Sequence, residues 1–117
     1  MDNEINPASI IKGLQARNLE LSSKNDEYKV LAENYANARK DFNVKYASTV
    51  LKLKGDYPAT LIPKLASGDP IVSDLEFKMY VAEAIQRACL ERMKDLREAI
   101  GTYRSLLTWL REEMGQR

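Results

Sequence analysis

Two hydrophobic series with a seven-residue repeat face each other across a proline-containing connector. In the first half, Leu14, Leu21, Tyr28, Tyr35, Phe42 and Thr49 recur at every seventh position. In the second half, a spacing of alternating three and four residues is sustained longer. It runs Val72, Leu75, Met79, Ala82, Gln86, Cys89, Met93, Leu96, Ile100, Tyr103, Leu107, Leu110 and Met114. Only Gln86 interrupts the apolar character of that series. Such a pattern belongs to long helices that each bury one stripe against another helix.

The punctuation divides the chain into three segments. Asn6-Pro7 reads as an N-cap followed by proline at the first helical position. Helical spacing then continues to about Lys54, where Gly55 offers a stop and Lys52 and Lys54 suit the negative end of the helix dipole. Gly13 and the polar stretch Ser22–Asp26 are weak points, and a break near Ser23 or Asn25 is an alternative to one continuous helix. The connector, about 55–69, carries Leu61, Ile62 and Leu65 at helical spacing, so a short helix is expected there, limited by Pro58 and Pro63. Asp69-Pro70 repeats the cap-and-proline start, with Ser73-Asp74-Leu75-Glu76 as a second candidate start one turn later. The second helix then runs from about 70 to 115. Gly101 is its weak point, where another backbone is expected to approach closely.

The expected fold is therefore all-α. It is an antiparallel two-helix hairpin of coiled-coil type with a short helical connector, forming a single helical domain over 1–117 and assembling into a larger helical bundle. Each long helix would span roughly 70 Å at 1.5 Å per residue. A register with Leu14 opposite Leu110, Leu21 opposite Tyr103, Tyr28 opposite Leu96, Tyr35 opposite Cys89, Phe42 opposite Ala82 and Thr49 opposite Leu75 sets the bulky Tyr35 and Phe42 against the small Cys89 and Ala82.

Composition narrows the chemistry. The chain has no histidine and one cysteine, Cys89. It therefore lacks the commonest general acid/base and cannot form an intrachain disulfide or a thiolate metal site on its own. No glycine-rich phosphate loop, EF-hand spacing or compact carboxylate cluster is present in the sequence. No enzyme activity and no cofactor are expected. The formal net charge is +1, which gives no global attraction to nucleic acid or anionic lipid. No apolar run reaches the ~20 residues needed to span a bilayer. Met1-Asp2-Asn3-Glu4 has neither the basic flank nor the apolar core of a signal peptide, so a cytoplasmic location without membrane association is expected.

Four features bear on function. Cys89 and the heptad tyrosines lie on the stripe and read as core residues rather than as a reactive thiol or a base-stacking platform. Gln86 reads as an amphipathic side chain reaching sideways to water, or else as a register-setting polar residue. Arg39, Lys40, Lys45, Lys52 and Lys54 make the late first helix basic, a candidate nucleic-acid surface or simply a solvated face. Ile85, Leu106 and Trp109 lie off the narrow stripe and make the second helix wider in apolar surface than one seam can cover. They are candidate partner-binding residues, with self-association into a homo-oligomer or an unidentified protein as the occupant. The alternative for Trp109 is that Ile5, Ile10 and Ile11 fold back over it.

The stretch from Val50 to about Trp109 also resembles a loosely defined group of small helical proteins from phages and prophages. The resemblance is carried by a lysine-rich helix end, a glycine-x-tyrosine/proline-x-threonine-leucine connector and a glycine-aspartate step into a long helix. Here these are Lys52-Leu53-Lys54-Gly55-Asp56-Tyr57-Pro58-Ala59-Thr60-Leu61-Ile62 and Gly68-Asp69-Pro70. It implies a two-helix hairpin with a short helical tip in a compact phage-type product, and no shared activity or site residues.

Overall fold

The structure, a computed structural model, describes residues 6–115. It contains three helices: α1 over Pro7–Leu53, α2 over Ile62–Gly68 and α3 over Pro70–Gly115. Among the described residues there is no strand, only one isolated bridge between Lys54 and Tyr57 within the turn after α1. Among the described residues no helix is long and apolar enough to cross a membrane.

The helix boundaries follow the local chemistry. Asn6 Oδ1 accepts a hydrogen bond from the Ser9 amide at 2.9 Å, satisfying one of the amides that the first turn leaves unpaired. Asp69 Oδ1 accepts from the amides of Ile71 and Val72 at 2.9 and 3.1 Å, so α3 starts at Pro70 and not at the later Ser73. After α1, Gly55 adopts a φ of +96°, a conformation that costs glycine nothing and other residues considerably more. α1 is unbroken through Ser22–Asp26. Ser22, Ser23, Asn25 and Asp26 are exposed while Lys24 and the seam residues Leu21 and Tyr28 on either side are half-buried, so packing outweighs weak local propensity.

The described residues group into two compact units, to each of which both long helices contribute. One comprises the residues up to Tyr28 with those from Cys89 onward; the other comprises Lys29–Ala88. In the first unit, α3 supplies the core from Cys89, Met93, Leu96 and Ile100, and α1 supplies Ile10. In the second, the buried residues are Thr49 of α1, Ile62 and Ala66 of α2, and Val72 of α3. Thr49 tolerates burial because its hydroxyl donates to the Lys45 carbonyl at 2.8 Å. Among the described residues, no buried side-chain nitrogen or oxygen lacks a partner.

The stripe is the seam. Every member of the first series is buried or half-buried, as is every member of the second except Met114. The helices run antiparallel within each unit, but in a different register from the one expected. Gly13 lies against Tyr103, Glu20 pairs with Arg92, and the Cys89 thiol donates to the Lys24 carbonyl at 3.6 Å. In the second unit the Tyr35 hydroxyl donates to Glu83, whereas the expected register set Tyr35 against Cys89. Each partner on α3 therefore lies about two to three helical turns earlier than expected.

The cause is α2. Its Ile62 and Ala66 are buried in the core of the second unit, so it belongs to the returning arm. The chain reverses before α2, in the turns closed by Asp56 N–H to Leu53 and Leu61 N–H to Pro58, and not symmetrically about it. The same offset explains Met114. Pro7, where α1 begins, already shares a groove with Leu107, Leu110 and Met114, so the last turn of α3 outruns its helical partner.

Candidate interaction surface

Two ion pairs mark the polar surface of the first unit. Arg92 Nε and Nη2 donate to Glu20 Oε2 and Oε1, both at 2.8 Å, in a bidentate pair between α1 and α3. The Arg92 hydrogen bonds hold the Glu20 carboxyl below its ordinary value and raise the guanidinium in turn. Lys24 pairs with Glu27 at 2.9 Å, and that hydrogen bond raises the ammonium above its ordinary value. Cys89 is buried on the seam, where sequence reasoning put it. Among the described residues, no group of three or more cysteine, aspartate or glutamate side chains is placed to hold a metal ion.

Apolar surface outside the seam is the feature left to explain. In the second unit α3 exposes Phe77 (66%), Tyr80 (56%), Val81 and Ile85 (48%). Phe77, Val81 and Ile85, with Leu31 and Asn34 of α1, line a shallow groove of about 210 Å³. That is below the ~300–1,000 Å³ of small-molecule sites, and suits one or two side chains of a macromolecular partner.

The three partner candidates are placed differently. Ile85 lies in this groove. Leu106 and Trp109 belong to the other unit, where Leu106 is half-buried and Trp109 is half exposed. Ile10 is buried and Ile11 exposed, and Trp109 keeps 53% of its surface open. Ile5 lies outside the described residues. Sequence reasoning missed Phe77 and Val81. The signal was present, since Phe77, Val81 and Ile85 recur at i, i+4, i+8 beside the main stripe.

The basic candidates are not gathered into one patch. Arg39, Lys40, Lys52 and Lys54 are exposed and Lys45 is half-buried. None of the five makes an ion pair among the described residues. A helix advances about 100° per residue, so Arg39, Lys40 and the Lys45–Lys52 line point in three separate directions from α1. Lys54 lies just beyond the helix end.

Comparison with known protein families, curated proteins and solved structures returns no match.

Proposed function

We propose that this chain is a non-enzymatic protein–protein interaction module, a coiled-coil-like helical hairpin that self-associates into a larger helical bundle. A cytoplasmic phage accessory protein that binds and modulates a host or phage protein fits this reading. That part rests on the resemblance of the connector and flanking helix ends to small phage proteins. The observation that supports the reading most is the exposed Phe77, Tyr80, Val81 and Ile85 surface on a helix whose other side already forms the seam. Contiguous exposed apolar surface of this kind marks interaction sites far more often than idle surface. Sedimentation equilibrium at micromolar concentration tests it directly. A mass above that of the monomer is expected, and a clean monomer mass throughout would remove self-association.

The alternative is a nucleic-acid-binding accessory protein using Arg39, Lys40, Lys45, Lys52 and Lys54. Its support is the absence of acidic partners for these side chains, and its weakness is their scatter around α1. Affinity purification with and without nuclease separates the two readings. Partners retained after nuclease treatment favour the first, and partners lost favour the second.

A further inference from the structure

The chain reversal that closes the second unit carries apolar surface of its own, apart from the α3 groove. α2 buries Ile62 and Ala66, yet leaves Leu61 and Leu65 47% and 41% exposed. Leu61 caps α2 in helical conformation, and its carbonyl accepts the Leu65 amide at 3.0 Å. Leu61, Lys64 and Leu65 therefore share one face, at i, i+3 and i+4. In the turn before α2, Tyr57 is half exposed and bridges to Lys54. We propose that this tip docks on the surface of an anionic lipid bilayer, with Tyr57, Leu61 and Leu65 as its apolar contacts and Lys54 and Lys64 as its cations.

Charge selects an anionic occupant. The whole chain carries a net charge of only +1, but its cations are locally concentrated here. Lys52, Lys54 and Lys64 are all exposed, and none makes an ion pair among the described residues. Asp56 is the only acid between Lys52 and Gly68. The next acid, Asp69, already accepts the Ile71 and Val72 amides as the cap of α3. Three lysines against one free carboxylate make the tip a local attractor for negative charge.

The interleaved apolar side chains narrow that occupant to one that is anionic and apolar at once. A bilayer surface offers both, with acidic headgroups lying over the acyl boundary. Tyrosine suits the headgroup level, leucine reaches the boundary beneath it, and a lysine stem lies along apolar surface while its ammonium stays among the headgroups. A protein partner would need an acidic recess shaped to these residues, whereas a bilayer adapts to side chains that project from a turn. α2 has seven residues, so the contact lies on the surface and does not span. Neither the apolar nor the basic half suffices for firm attachment, since stable anchoring takes two signals together.

Co-sedimentation of the full chain with lipid vesicles at low salt tests the proposal. Wild type is expected to partition onto vesicles of phosphatidylcholine with phosphatidylserine, and far less onto phosphatidylcholine alone. Lys54→Ala and Lys64→Ala are each expected to lower the partition coefficient roughly fivefold. Leu61→Ser combined with Leu65→Ser is expected to lower it by roughly tenfold or more, leaving a residue of binding that salt abolishes. Lys94→Ala removes the same charge from an exposed site in the other unit and is expected to change nothing. Helix content by circular dichroism should match wild type throughout, every substituted position being exposed. No partition onto the anionic vesicles would overturn the proposal and leave the tip to an acidic protein. An equal loss in Lys94→Ala would overturn the tip as the site, showing attraction by charge in general. Full binding by the double leucine variant would overturn the apolar contact. None of these outcomes bears on self-association, which sedimentation equilibrium reads separately.

Discussion

Leu96 is 1% exposed at the centre of the first unit's seam, the largest side chain there to be sealed so completely. Its replacement by alanine removes buried methyl groups and leaves a space that two stiff helices close only in part. The expected loss is about 2–5 kcal/mol, read from denaturant unfolding. A loss below about half a kcal/mol would show that the site is not a packed core. The glycines give a sharper contrast. A Cβ on Gly13 would fall 2.7 Å from the Tyr103 ring, so Gly13→Ala is expected to destabilise or to displace that ring. Nothing lies within 4 Å of a Cβ built on Gly101, so Gly101→Ala is expected to stabilise by up to about 1 kcal/mol through helix propensity. Unfolding midpoints of the two variants should move in opposite directions. The sequence reading assigned the close approach to Gly101 and treated Gly13 only as a weak helix former. Propensity costs the two residues the same. What separates them is the facing side chain, and that depends on a register that heptad spacing leaves free to slide by whole repeats.

At the scale of the elements, the legible features were those written in local chemistry. The Asn6 and Asp69 caps, the Gly55 reversal and the period of both stripes each involve residues a few positions apart, and the structure uses all of them. The pairing of α1 with α3 was not legible, because it turns on where α2 packs. Leu61, Ile62 and Leu65 suggested a short helix under cover. In the event Ile62 and Ala66 are buried while Leu61 and Leu65 stay exposed, and α2 joins the returning arm. With the register fixed, Glu20 and Arg92 become the cross-helix ion pair of the first unit, and they carry a pH prediction. The folded Glu20 carboxyl is held below its ordinary value of 4.5, chiefly by its hydrogen bonds from Arg92. Its stabilising contribution is therefore present above the unfolded value and is lost as the pH falls through the lowered folded value. The stability difference between wild type and Glu20→Gln should be constant near neutrality. It should shrink once the pH drops past the ordinary glutamate range, and vanish below the folded value. A difference that persists at the acid end would assign it to packing of the side chain and not to its charge. Because both groups are well exposed, added salt should reduce the same difference.

At the scale of the whole molecule, the surplus apolar surface was legible as a surplus but not as a place. Ile85, Leu106 and Trp109 were picked out for lying off the stripe. Burial then separated them, since Leu106 is half-covered whereas Phe77 and Tyr80 are more open than any of the three. Charge is the competing organiser, and it predicts a different experiment. With a net charge of +1 and cations spread around α1, no duplex or single-stranded probe is expected to bind at low salt. If Arg39, Lys40 and Lys45 do contact phosphates, binding to duplex DNA must fall with salt at a log–log slope of about 0.9 per contact, and a titration over a few salt concentrations would show it. Self-association has an independent signature in unfolding. A partner copy that binds only the folded chain stabilises it by mass action, so the midpoint must rise with protein concentration. Thermal unfolding followed by circular dichroism over a hundredfold range of concentration is expected to show that rise for wild type. The rise should flatten for Phe77→Ala, which removes the most exposed apolar side chain of that α3 surface and leaves the seam untouched. A midpoint independent of concentration across the whole range would mean that the hairpin folds and unfolds alone. The Phe77, Tyr80 and Val81 face would then be left for a different protein.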